Sequence, residues 1–132
     1  MHANQKRELM TAARAAARRA YAPYSGLRVG AAVLSDAGLV FQGCNVENAS
    51  YGLTICAERA ALCAAIAAGA RNFRALAVVA LARRAPLPCG ACRQALAEFC
   101  PPGFVIFTAG AKATGRVRRY TLGKLLPKAF KL

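Results

Sequence analysis

Residues 54–66, TICAERAALCAAI, read as an apolar, alanine-rich helix whose first turn is crowded by Cys56, Glu58 and Arg59. Burying a carboxylate and a guanidinium in such a segment costs roughly several kcal/mol unless both are paired or used. Gly69 gives this helix a stop, so it is expected over about residues 56–68. Working outward, the pattern changes period. Upstream, VGAAVLS (29–35) and LVFQGCNVE (39–47) flank the turn residues DAG and predict a hairpin. Downstream, ALAVVALA (75–82) is continuously apolar, as a strand buried on both faces is.

The remaining segments complete the map. A helix is expected over about 5–20, with Leu9, Ala13, Ala16 and Ala20 near one face, and a second over 89–99, stopped by Pro101 and Pro102. FVIFTA (104–109) and GRVRRYTL (115–122) read as strands, and TLGKLLPKAF (121–130) as a short closing helix or tail. Hairpin, helix, strand, helix, strand, strand predicts an α/β fold, a three-layer α/β/α sandwich with a mixed sheet of about five strands. No repeat, linker or composition break divides the chain, so residues 1–132 are read as one domain.

With 57% hydrophobic and 18% charged residues the chain can bury a real core, which excludes a disordered protein. No apolar run approaches the roughly 20 residues of a bilayer span. The first 25 residues are rich in Arg and Ala, as mitochondrial presequences are, but their composition equally makes a strong amphipathic helix. They lack the long apolar stretch of a secretory signal, so a cytoplasmic, reducing location is expected. There six cysteines are metal ligands, a nucleophile or packing residues rather than disulfides.

Spacing sorts those cysteines. Cys89 and Cys92 form a C-x-x-C at the start of a helix, where positions i and i+3 share a face. Cys56 likewise opens a helix, whose positive dipole end favours the thiolate. Cys63 lies seven residues beyond Cys56, a rise of about 10.5 Å. Two sulfurs on one zinc sit within roughly 4 Å of each other. Cys63 is thereby excluded, and so is Cys100, eight residues past Cys92, if that helix continues. Cys44 is not excluded by spacing, and all three are read as packing residues.

Three sulfurs leave one zinc position to water, which marks a catalytic rather than a structural site. Glu58, two residues after Cys56, can stand beside that metal without binding it and move a proton. Three thiolates and one Zn²⁺ sum to a net negative charge, which Arg59 can offset by donating hydrogen bonds to the ligand sulfurs.

At this point the residues resemble a family. The runs CAER (56–59) and PCGACRQ (88–94) are similar to those of the short-chain, homotetrameric zinc cytidine deaminases, and the general zinc-deaminase signature pairs such a ligand-x-Glu with P-C-x-x-C. YAPYS, GCNVENASYG and the terminal LLPKAF extend the resemblance over nearly the whole chain. It implies one zinc per subunit on Cys56, Cys89 and Cys92, with Glu58 as proton shuttle. It implies that Asn45 and Glu47 hydrogen-bond the ribose and that Ala57 and the Cys89 region offer backbone groups to the pyrimidine edge. Tyr51 completes the pocket, and Phe130 reaches over from a neighbouring subunit, so a homotetramer with shared sites is implied. Leu27 stands where the family often has an aromatic, and covers a base without stacking as well.

The implied reaction is hydrolytic deamination of cytidine and 2′-deoxycytidine, in pyrimidine salvage. A blasticidin-type deaminase, a deaminase of single-stranded DNA or RNA, and a structural zinc domain with Cys44 as fourth ligand are the alternatives. The charge of +14, from 19 basic and 5 acidic residues, is not explained by the resemblance. It is expected to attract polyanions nonspecifically.

Overall fold

The computed structural model describes residues 1–132. A helix, α1 (Ala3–Ala17), precedes the hairpin β1 (Val29–Ser35) and β2 (Val40–Cys44). Then come α2 (Ala57–Ala67), β3 (Phe73–Ala80), α3 (Gly90–Phe99), β4 (Val105–Ala109), β5 (Arg118–Thr121) and the short α4 (Leu122–Leu125). The sheet order is β2-β1-β3-β4-β5, with β3 and β4 parallel and every other pair antiparallel. The expected five-stranded α/β/α sandwich is what forms. No helix is long and apolar enough to cross a membrane.

Strand alternation divides the core into two layers. Ala31, Val33, Leu76, Val78 and Ile106 face α2 and α3, which contribute Ala61, Leu62, Ala65, Leu96 and Ala97. Ala32, Leu34, Ala75, Ala77, Val79 and Phe107 face Leu9, Met10 and Ala13 of α1. β3 is the central strand and is buried on both faces, as its unbroken apolar run requires. The first helix stops at Ala17, three residues before the expected end, so Ala20 lies in the following turn. β2 also ends early, at Cys44, because residues 45–47 leave the ladder for other partners.

Two glycines let helices sit directly on the sheet. A Cβ on Gly30 would overlap backbone atoms of Ala13 and Ala17 in α1. One on Gly43 would overlap Ala61 N in α2 and stand 2.6 Å from Ala57 O. Neither obstacle can rotate away, since both are main chain. Gly43→Ala is expected to destabilise the fold by about 2 kcal/mol or more, read as a lower urea midpoint at unchanged slope. A midpoint equal to the parent's would mean that α2 can lift freely from β2.

Candidate active site

The extended stretch 45–47 places the first sulfur. Val46 exchanges backbone hydrogen bonds with Ile55, and Tyr21 N–H and Glu47 N–H bond to Asn45 O and Tyr21 O from the other side. Ile55 is thus clamped one residue before Cys56, which caps α2 in an extended conformation. Cys89 caps α3 in the same way. Neither side chain makes a capping hydrogen bond to its helix, and both sulfurs sit at the helix starts.

The two helix N-termini converge. Cys56 Sγ and Cys89 Sγ are 3.8 Å apart, Cys89 Sγ and Cys92 Sγ 3.5 Å, and all three lie within 4.8 Å of one another. Tetrahedral zinc with sulfurs at about 2.3 Å needs S···S separations of roughly 3.8 Å. The donor set therefore fits zinc. Cys92 is buried, Cys56 half-buried and Cys89 exposed, so the cluster is walled on one side and open on the other.

Charge in the cluster is in conflict until a cation joins it. Burial alone would raise the Cys89 thiol, yet the Cys92 N–H, the Cys92 and Cys56 sulfurs and the Ala91 N–H outweigh it and bring it below the ordinary range. Cys92 is driven far above that range, first by burial and then by the negative charges of Glu58, Cys56 and Cys89. Arg59 Nη2 donates to Cys56 Sγ at 3.5 Å, and the Cys56 and Cys92 sulfurs keep the guanidinium firmly protonated. Its Nε is buried without a partner.

Glu58 is only 5% exposed. Burial pushes its carboxyl above the usual range, while its own N–H and the Arg59 charge pull the other way. A carboxyl whose ionised form is disfavoured in this manner holds a proton more readily than an exposed one and can both take and give it.

Tyr24, Ser25, Glu47, Asn48, Tyr51 and Thr54 line a cavity of about 320 Å³. Glu47 accepts from the Tyr24 and Ser25 amides at 2.9 and 3.1 Å and from the Ser25 hydroxyl. The hydroxyl does most to hold its carboxyl below the usual range, against a desolvation penalty, and both amides add to it. Asn45 donates to Leu27 O at 2.8 Å and accepts from Val29 N at 2.9 Å, fixing the loop before β1. Both side chains are thus partnered within the chain, with one acceptor position left on the Glu47 carboxylate, at Oε2.

The structure brings Cys56, Ala57, Glu58, Arg59, Cys89 and Cys92 together and places Glu47 and Tyr51 on one cavity. Ala57, the first residue of α2, is buried, and its amide belongs to the turn that has no intrahelical acceptor. Leu27 is 44% exposed and Phe130 70% exposed, and neither lines that cavity. Phe130 is tethered instead by Gln94 Nε2, which donates to its carbonyl at 3.1 Å.

The sequence reading did not single out Ser25, Tyr24, Arg93 or Gln94, whose hydrogen bonds hold Glu47, the cysteine loop and the Phe130 carbonyl. Arg93 donates to Pro88 O at 2.7 Å and Leu125 O at 2.8 Å, tying the cysteine loop to α4. Their signal was present in the motifs YAPYS and PCGACRQ, but a polar residue beside a motif does not declare its partner.

The other cysteines divide. Cys63 is exposed on α2, which corrects its reading as a packing residue: the helix turns that position toward solvent. Cys44 is half-buried and Cys100 buried. Burial pushes the Cys100 thiol up to about 12 from an ordinary 9.0. The folded state then resists an ionisation that the unfolded chain accepts, so stability intact below pH 9 falls between there and pH 12. The loss is on the order of 1 kcal/mol per pH unit. Cys100→Ala is expected to remove this part of the alkaline decline, read from melting temperatures of both proteins at pH 8 to 10.5; parallel declines would contradict it.

The cytidine and deoxycytidylate deaminase zinc-binding region matches residues 3–108. A cytidine deaminase of Sporosarcina psychrophila is 45% identical over 123 residues, covering 93% of this chain and 89% of that protein. One from Halalkalibacterium halodurans is 50% identical over 111 residues, 84% of this chain and 83% of the relative. The crystal structure of cytidine deaminase from Burkholderia pseudomallei superposes with a TM-score of 0.88 at 48% identity, covering 98% of this chain and 100% of that one.

Proposed function

The chain belongs to the cytidine deaminase family, and from that premise we propose how its own residues divide the work. It is an enzyme, a hydrolase that converts cytidine and water to uridine and ammonia. Residues 1–132 act as one catalytic domain, and 2′-deoxycytidine is a second substrate. The observation that carries this reading is a buried carboxyl whose charge acts on a cluster of three sulfurs.

Cys56, Cys89 and Cys92 would hold one zinc ion per subunit. When bound, zinc supplies the Lewis acidity that makes a water nucleophilic at neutral pH. Arg59 spreads the excess negative charge of the sulfurs through its hydrogen bond to Cys56. Glu58 takes one proton of the water that attacks C4 and passes it to N3, then takes the remaining proton of the new C4 hydroxyl and gives it to the amino group, which leaves as ammonia. Its burial excludes bulk water from that transfer. The backbone at Ala57 and near Cys89 orients the pyrimidine edge, since helix N-termini present unpaired N–H groups there.

Glu47 and Asn45 hold the ribose. The one acceptor position left on the Glu47 carboxylate suits a sugar hydroxyl, and its bonds to residues 24 and 25 fix it in place. Leu27 covers the base with apolar surface. Tyr51, 76% exposed, and Phe130 are large aromatic surfaces left to solvent in one chain, which supports a homotetramer whose sites are completed across interfaces. The enzyme serves pyrimidine salvage in the cytoplasm, and its surface attracts polyanions.

Zinc-loaded protein incubated with cytidine, 2′-deoxycytidine and cytosine is expected to release ammonia from both nucleosides and little from the free base. No ammonia from cytidine would refute the assignment. Turnover of cytosine equal to that of cytidine would remove the ribose role of Asn45 and Glu47.

A further inference from the structure

At the carboxyl ends of β3 and β4 the loops 81–88 and 110–118 enclose a cleft of about 780 Å³. Arg83, Arg84, Lys112, Arg116 and Arg118 line it, with Tyr120 and Leu87, and no acidic residue does. All five cations are exposed. The chain's one ion pair joins Arg74 to Asp36 at 3.7 Å, so none of the five has a carboxylate partner. Of the five acids, Glu47 and Glu58 are committed to the site described above, and Asp36 to Arg74.

The floor beneath these charges is built rather than loose. Ala111 N–H donates to Ala82 O at 2.8 Å, joining the two loops. Arg14 of α1 donates to Gly110 O at 2.9 Å and Ala111 O at 3.3 Å. Gly110 lies so close that a Cβ there would stand 2.8 Å from Arg83 O. Five like charges held around one concavity repel each other and lower the free energy of any polyanion that enters. The fastening to α1 fixes the start of the 110–118 loop, and no residue that lines the cleft lines the cavity around Glu47.

We propose that this cleft binds the phosphodiester backbone of a single-stranded nucleic acid, as a docking site separate from the nucleoside cavity. Regularly spaced phosphates match a row of arginines, and Arg suits phosphate better than Lys because its planar fork donates two bonds at once. Tyr120 and Leu87 offer flat and apolar surface to an unpaired base, which a duplex would not present. The cleft needs no deaminase activity for its function.

The test is fluorescence anisotropy of a labelled oligouridylate of about 12 nucleotides, within the usual range of single-strand sites. Titrations in rising KCl are expected to give a slope of log affinity against log salt of about −3.5, for five cations at roughly 0.7 each. R83E/R116E is expected to weaken binding at least tenfold and flatten the slope to about −2. R18E/R19E, the same charge change on exposed residues outside the cleft, should stay within about twofold. Both variants should melt as the parent does, and R83Q/R116Q replaces the first if it does not. Absence of binding at about 50 mM salt, equal losses in the two double variants, or tighter binding of a duplex of the same length would each overturn the proposal.

Discussion

Glu58→Gln is expected to lower cytidine turnover by on the order of a thousandfold or more while zinc content stays at the parent level. Glutamine keeps the shape of the side chain and loses the ability to exchange a proton. It stands outside the three-sulfur cluster, so the metal should not notice its replacement. The stability effect runs in the opposite direction. Burial raises the carboxyl in the folded state, so its ionisation costs stability as pH rises past 4.5. The variant should therefore melt at or above the parent temperature near pH 7 and close to it at acid pH. An enzyme that pays stability to keep an acid in an apolar turn gains when that acid is removed. Turnover within tenfold of the parent would exclude Glu58 as the proton carrier.

Cys92→Ser is expected to have the second large effect, and it should appear in the metal before it appears in the rate. Cys92 is fully buried and 3.5 Å from Cys89 Sγ. A serine hydroxyl ligates zinc poorly, so affinity should fall by more than about a hundredfold, beyond the usual cost of losing a supporting hydrogen bond. Turnover should fall with zinc occupancy, measured as metal per chain after dialysis. Cys63→Ser is the matched control, because Cys63 is exposed on the same helix as Glu58 and outside the cluster. If Cys92→Ser retains one zinc per chain, the donor set is not the one described.

Much of this site was legible because its chemistry sits at helix starts, where spacing converts directly into distance. Cys89 and Cys92 are one turn apart, and a seven-residue rise removes Cys63 from the reach of Cys56. The sandwich was legible for a similar reason: ALAVVALA could be buried on both faces only as a central strand. What stayed hidden depends on contacts between segments far apart in the chain. Nothing in the sequence says that Glu47 receives the Tyr24 and Ser25 amides, or that Arg93 reaches Leu125. Asn45 likewise divides its amide between Leu27 and Val29, 18 and 16 residues away. Ends of elements were lost where bridges took over from ladders, as at Cys44, beyond which Val46 pairs with Ile55. The orientation of Cys63 was lost because alanine-rich helices carry little polar signal to tell the outer face from the inner.

The two sulfur-bearing helix starts come from separate arms of the chain, and only the finished sandwich brings them to the same point. An ion captured there is bound by the native state alone, and each tenfold rise in free metal adds about 1.4 kcal/mol to the resistance against unfolding. The heat tolerance of the protein, and its lifetime among proteases, thereby becomes a gauge of the metal supply around it.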